Sequence, residues 1–389
     1  MPVAIFVLGV AIFAQGTSEL MLAGLLPELS SDLGVSIPEA GLLISAFAIG
    51  MLVGAPLLAV MTLRLPQRTS LLVFLAVFVV GHVVGALTSS YAVLFATRVV
   101  SAFVYAGFWA VATITALRLA TDKTRGRALA VVVSGLTVAT IIGLPGGTFI
   151  GQHLGWRSAF WAVAILSALA MVAVAATIPA GHATDEPRPQ LRRELRAMAN
   201  MRLWLAFATT ALTTGALLVT FSYLAPLLIE TTGLAAGWVP VVMALYGIGA
   251  FAGITIGGRI ADARPFTVLY VGVIGSVLTS VAIALFAREP ITVVVLVTLL
   301  GGLGFMINPA LNTRVFALAE DAPTLAAGTN ISAFNTGITV GPLLGAVAID
   351  AGLGYPSTPW IGAGLGLLGL LSVVLAAALT RRPEPALVG

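Results

Sequence analysis

The 389-residue chain contains no cysteine. That excludes disulfides, thiolate metal sites and thiol nucleophiles. Histidine is nearly absent as well: His82, His153 and His182 stand far apart and show no metal-ligand spacing. Charge is scarce throughout. Asp, Glu, Lys and Arg make up 9 % of the residues, against roughly 25 % in ordinary soluble domains. So few charges cannot cover a surface that faces water, and the missing surface must face lipid. Apolar residues supply 59 % of the chain, with 42 glycines among the rest. In a bilayer, where lipid gives no hydrophobic drive between helices, glycine lets backbones approach closely. The net charge of +4 sits in short loops between apolar runs, so it reads as membrane topology and no nucleic-acid partner is expected. The first apolar run follows Met1-Pro2 without a basic segment, carries Glu19 and lacks a small-x-small cleavage site. It is expected to be a permanent span.

A run of about 20 apolar residues crosses a bilayer as a helix. Twelve such runs occur, at 4–27, 38–63, 69–89, 92–119, 126–151, 157–178, 203–229, 237–262, 266–287, 291–316, 323–350 and 357–379. With both termini in the cytoplasm, every lysine and arginine except Arg98, Arg157 and Arg288 falls in an inner loop or tail. A miscounted helix would scramble this alternation, so the bias supports twelve spans and an N-in, C-in orientation in the cell membrane. The chain also repeats itself. An offset of 199 residues pairs Pro27 with Pro226, Gly34 with Gly233, Gly50 with Gly249, Gly54 with Gly253 and Pro66 with Pro265; an offset of 198 pairs Gly143 with Gly341 and Gly147 with Gly345. Six spans per half give the repeats the same orientation, related by an axis along the membrane normal. The predicted fold is all-α: two pseudo-symmetric six-helix bundles, 1–180 and 202–389, joined by a basic cytoplasmic linker at 181–201.

This layout resembles the major facilitator superfamily. Gly258-Arg259-Ile260-Ala261-Asp262 after span 8 is similar to that family's loop motif G-x-L-A-D, in which the glycine allows close helix packing and the aspartate latches onto a helix end or a cation. The first-half copy keeps the basic residues Arg64 and Arg68 but has Ala59 and Leu63 where the glycine and aspartate belong. Gly135-x7-Gly143-Leu144-Pro145-Gly146-Gly147 in span 5 resembles the glycine-rich motif of proton-coupled drug exporters, and Gly341-Pro342-Leu343-Leu344-Gly345 in span 11 is its partner. The family's use of that motif implies packing between the halves. Gln15-Gly16-Thr17-Ser18-Glu19-Leu20 and Gly54-Ala55-Pro56-Leu57-Leu58 resemble the chloramphenicol-resistance exporters among the twelve-span drug:proton antiporters, though sugar-efflux relatives share much of this pattern.

Two charged side chains lie well inside the spans, Glu19 in span 1 and Arg98 in span 4. Such residues are costly in a bilayer and face an interior or a cavity. At 1.5 Å per residue both lie roughly 10–13 Å below the outer surface, so a Glu19–Arg98 pair is possible. Arg98 also stands where the family's span-4 motif has its arginine. Gln15 shares a face with Glu19; Tyr105 and Trp109 continue a stripe from Arg98. Phe221, Tyr246, Asn308, Asn312 and Asn335 are the second-half candidates for an amphipathic binding cavity. His82 is assigned to packing. The implied activity is export of a small amphipathic drug, chloramphenicol by resemblance, against protons, with Glu19 as the exchanging acid and Arg98 tuning it. Sugar or metabolite efflux, or facilitated transport without protons, is the alternative. No cofactor or metal is expected, the chain is read as a monomer, and no grouping of acids, histidines or nucleophiles supports an enzyme.

Overall fold

The computed structural model describes residues 2–61, 65–121, 124–179, 198–261, 263–319 and 323–381. Arg64, Asp262 and most of 181–201 lie outside the described residues. Among those described there are helices and turns but no strand. Twelve helices are long and apolar enough to cross a membrane: α1 (Val3–Gly24), α2 (Ile37–Leu58), α3 (Gln67–Leu87), α4 (Tyr91–Leu119), α5 (Arg127–Leu154), α6 (Trp156–Thr177), α7 (Met201–Ser222), α8 (Ala236–Ala261), α9 (Pro265–Leu285), α10 (Pro290–Leu318), α11 (Gly328–Leu353) and α12 (Ser357–Leu379). Each end falls within seven residues of the matching apolar run, the widest gap being at the end of α7.

Local chemistry sets many of the breaks. α9 and α10 begin on Pro265 and Pro290, where a missing N–H costs a helix nothing. Pro309 cannot donate back along α10, and the helix stops at Met306 and resumes at Asn308. Pro145 does the same to α5, which widens into a π-turn over Ala139–Gly143 just before it. A short helix, Leu26–Leu33, follows α1 and ends on Gly34 at φ 65°, a conformation that suits glycine.

Glycine registers the two halves identically. A Cβ on Gly50 or Gly54 of α2 would strike the α4 backbone at Val99 and Phe103. In the second half, one on Gly249 or Gly253 of α8 would strike the α10 backbone at Thr298 and Gly302. Each of these four residues lies 199 positions from its first-half counterpart, so the repeat seen in the sequence is a repeat of contacts. The span-5 and span-11 glycines behave likewise. Gly143 and Gly147 pack on Thr17 and Met21 of α1, and Gly341 and Gly345 pack on Gly215 and Val219 of α7 and on Tyr223 just after it. This corrects the expectation drawn from the family motif: these glycines seat helices inside each half rather than between halves. The halves meet instead along α2 with α11 and α5 with α8. There Ser45 donates to the Thr339 carbonyl at 3.0 Å, Gly247 of α8 lies against the Thr140 carbonyl of the α5 π-turn, and the Tyr223 ring lies against Gly41 of α2.

The loop motif is corrected too. Gly258 is exposed and its nearest neighbour would be Pro309, 3.9 Å from a Cβ. The adjacent Gly257 makes the close approach, to Met306 of α10. In the first half Arg68 of α3 donates to the Ala175 carbonyl near the C-terminal end of α6, where a cation complements the helix dipole.

Candidate functional site

Arg98 is 1 % exposed, and its surroundings define the site. Its Nη1 donates to Ser18 Oγ at 2.7 Å and its Nη2 to the Ser18 carbonyl at 3.0 Å. The guanidinium also lies 4.3 Å from the Phe47 ring centroid, a cation–π contact that a dry interior strengthens. The Ser18 carbonyl is open to this role because α1 tightens into a 3-10 turn at Leu22–Gly24; the last carbonyls of a helix need partners from outside it.

Ser18 Oγ is also 2.6 Å from Nε2 of His82, whose Nδ1 is 2.8 Å from the Phe78 carbonyl. A carbonyl only accepts, so Nδ1 carries the proton, Nε2 presents a lone pair, and the Ser18 hydroxyl donates to it. His82 stacks on Phe78, centroids 4.1 Å apart, and lies 5.6 Å from Phe160. A relay therefore runs from Arg98 through Ser18 to His82 across α4, α1 and α3. His82 is part of the site, and packing alone does not describe it. No spacing rule marked it, since these three residues come together only laterally.

Glu19 is next to Ser18 in α1, the residue that Arg98 grips. Direct pairing is not found. The Glu19 carboxylate makes no ion pair or hydrogen bond among the described residues, although its charge and that of Arg98 act on each other. Its side chain is only partly buried, between fully buried Ser18 and Met21. It is thus an acid within a span that keeps some access to its surroundings.

The other candidates divide into two groups. Tyr105, Phe221 and Tyr246 are 1–3 % exposed and pack in the bundle cores. Tyr105 contacts Phe47, Phe78 and Trp109, and Tyr246 stacks on Phe221 with centroids 4.6 Å apart. These three rings therefore do not line an open cavity as expected, whereas Trp109 is only half-buried. The amides are arranged differently. Asn330 donates to Asn312 Oδ1 at 2.7 Å, Asn312 donates to the Asn308 carbonyl at 3.0 Å, and Thr210 donates to Asn330 at 3.4 Å. Gln15 and Asn335 are buried, and each spends its amide N–H on the carbonyl four residues back, Ala11 and Ile331. Their side-chain oxygens have no partner. A buried acceptor left unmet costs about 1–3 kcal/mol, so both oxygens are places where a bound donor would be welcome.

At the start of α6, Arg157 and Trp156 both donate to Asp32, which lies outside the spans, and Arg157 also reaches the Thr88 carbonyl at 3.0 Å. These bonds, Arg157's first, hold the Asp32 carboxyl below its usual range. Burial pushes the Glu28 carboxyl up. A shallow cleft lies between α7, α9, α10 and α12 and touches none of the candidate residues. Among the described residues no group of three or more acids and histidines converges on a point.

Residues 8–336 match the sequence profile of the Major Facilitator Superfamily. The chain is 44 % identical to a chloramphenicol resistance protein of Streptomyces lividans, over 97 % of this chain and 96 % of that one. It is 33 % identical to the inner membrane transport protein YdhP of Escherichia coli, over 97 % and 96 %. Among solved structures it resembles the nucleoside transporter NupG, with TM-score 0.76 and 15 % identity over 96 % of this chain and 99 % of that one. A bacterial homologue of the lysosomal transporter Spinster gives TM-score 0.73 at 17 % identity over 99 % and 98 %.

Proposed function

The chain belongs to the Major Facilitator Superfamily and is a multi-pass membrane transporter, and from that premise we propose that it exports a small neutral amphipath of the chloramphenicol type in exchange for protons. The observation that carries the coupling is Glu19: a carboxylate deep in α1, unpaired, partly accessible and beside a buried cation. A carboxyl in that position changes its proton affinity as water access changes and as the cation moves. Gln15 and Asn335 offer unmet acceptors to a substrate's hydroxyl or amide N–H, and Trp109 offers a ring. The similarity to a chloramphenicol resistance protein supports a ligand of that chemistry.

In this reading the bundles 1–180 and 202–389, joined through 181–201, rock as two bodies in the cell membrane with both termini cytoplasmic. The seams of α2 with α11 and α5 with α8 are the surfaces that roll. The unit is a monomer. A second reading, efflux of a sugar or similar metabolite, draws support from the amide chain Asn308–Asn312–Asn330, a polyhydroxyl-friendly lining.

Drug susceptibility of cells expressing the protein separates the two. Protection against chloramphenicol, with little against permanently dicationic drugs, is the expected outcome, because one deep acid leaves little charge to balance a dication. Protection against dications with unchanged chloramphenicol susceptibility overturns the drug assignment. Relief of sugar toxicity without drug protection selects the second reading.

A further inference from the structure

We propose that His82 is a positioning residue: acting through Ser18, it holds the Arg98 guanidinium off Glu19. The inference rests on the reading of Glu19 as the exchanging acid. Its evidence is the way donors and acceptors are matched around Ser18.

A buried arginine beside a carboxylate ordinarily forms the charge-assisted pair, which is the stronger bond. Here Arg98 has a donor to spare, since its buried Nε has no partner, and Glu19 is the residue immediately after Ser18. Yet the guanidinium sits on Ser18. The serine competes because its one proton is already committed. With the Ser18 hydroxyl donating to His82 Nε2 at 2.6 Å, its lone pairs face Arg98. His82 in turn cannot rotate its ring without losing the Phe78 carbonyl at 2.8 Å and the stack on Phe78 at 4.1 Å.

A protonated His82 would reverse this. Nε2 would then donate to the same oxygen that Arg98 donates to, leaving the Ser18 proton without an acceptor and placing two cations against one hydroxyl. The relay therefore works with His82 neutral, as a fixed acceptor rather than a proton carrier. Among the described residues the titratable and charged groups around it are few: Glu19 from α1, His82 from α3, and Arg98 and Tyr105 from α4. α2 and α6 bring the rings of Phe47 and Phe160, and α5 brings Leu136 and Ala139 against Gly16.

Breaking the relay leaves Nη2 on the Ser18 carbonyl but frees Nη1 of Arg98 to pair with Glu19 and to favour its carboxylate. The test is infrared difference titration of the Glu19 carboxyl in the purified full-length protein, isolated by subtracting Glu19→Gln. Ser18→Ala and His82→Phe should each move the midpoint about one pH unit to acid, roughly tenfold in proton affinity. The double variant should move it no further. His82→Gln, whose amide oxygen still accepts from Ser18, should move it back towards the parent value, which a purely structural histidine would not do. Ser18→Ala is a small change and carries the test if His82→Phe does not fold. An unchanged midpoint in folded Ser18→Ala overturns the inference. Substrate-induced proton release from the unaltered protein is read separately and bears on the antiport reading alone.

Discussion

The two halves of this molecule share a scaffold and differ in chemistry. Gly50 and Gly54 seat α2 on α4 just as Gly249 and Gly253 seat α8 on α10. The polar relay of the first half has no second-half copy. At the same 199-residue offset, Ser18, Glu19, His82 and Arg98 correspond to Leu217, Leu218, Val281 and Val297. Val297 is fully buried, as Arg98 is. The second half instead places amides on α10 and α11. Backbone contacts were kept in duplicate because both bundles need the same close helix crossings. The charge of Arg98 was not kept at the matching position, because each buried charge is costly unless something uses it; the second half's own buried arginine, Arg314, lies elsewhere on α10, against the Phe266 ring.

The largest expected effects test the shared part. Gly54→Val and Gly253→Val each set side-chain carbons against backbone that has no room to move. In the first case a Cβ meets the Phe103 carbonyl at 2.7 Å and its Cα at 2.9 Å. Each should destabilise by about 3 kcal/mol or more, at the upper end of overpacking, and folded yield in detergent should fall for both alike. A large loss in one half only would break the structural equivalence.

Arg98→Ala against Val297→Ala tests the difference between the halves. Removing the arginine strands the Ser18 carbonyl and leaves Glu19 without a neighbouring cation. A loss of about 3 kcal/mol is expected, the scale for removing one partner from a buried charged set. Val297→Ala removes only apolar volume and should cost about 1–2 kcal/mol. Unfolding followed by tryptophan fluorescence in detergent compares them; equal losses would remove the special status of the first half.

The smallest effect lies outside the spans. The Asp32 carboxyl is held low by Arg157 and Trp156, so its contribution is present above the ordinary carboxylate value and fades as pH falls through the lowered one. Asp32 is 44 % exposed, and screening limits the effect to less than about 1 kcal/mol. Asp32→Asn should therefore melt slightly below the parent at pH 7, and the gap should close in acid. A gap that persists in acid would show that the clasp does not depend on the carboxylate.

Much of this was legible in the residues. Length and polarity mark the spans because a bilayer demands about 20 apolar residues whatever the neighbours. The glycine repeat was legible because identical contacts need identical gaps. Depth along a helix follows from rise per residue, so the common level of Glu19 and Arg98 was also readable. Rotation and lateral neighbours do not follow from counting. Arg98 therefore looked like a partner for Glu19 rather than for Ser18, His82 looked like packing, and Tyr105, Phe221 and Tyr246 looked like cavity lining rather than core. The loop motif pointed to Gly258 when Gly257 touches α10, a slip of one residue that turns a helix face by about 100°.

The proposed asymmetry, proton exchange in the first half and none in the second, is tested most directly by proton release on adding chloramphenicol to purified protein in weak buffer. Leu218 occupies in α7 the place of Glu19 in α1. The expected result is release by the unaltered protein and by Leu218→Gln, and no release by folded Glu19→Gln. Release by Glu19→Gln equal to that of the unaltered protein would contradict the account and turn attention to Glu28, the acid whose carboxyl burial raises outside the spans.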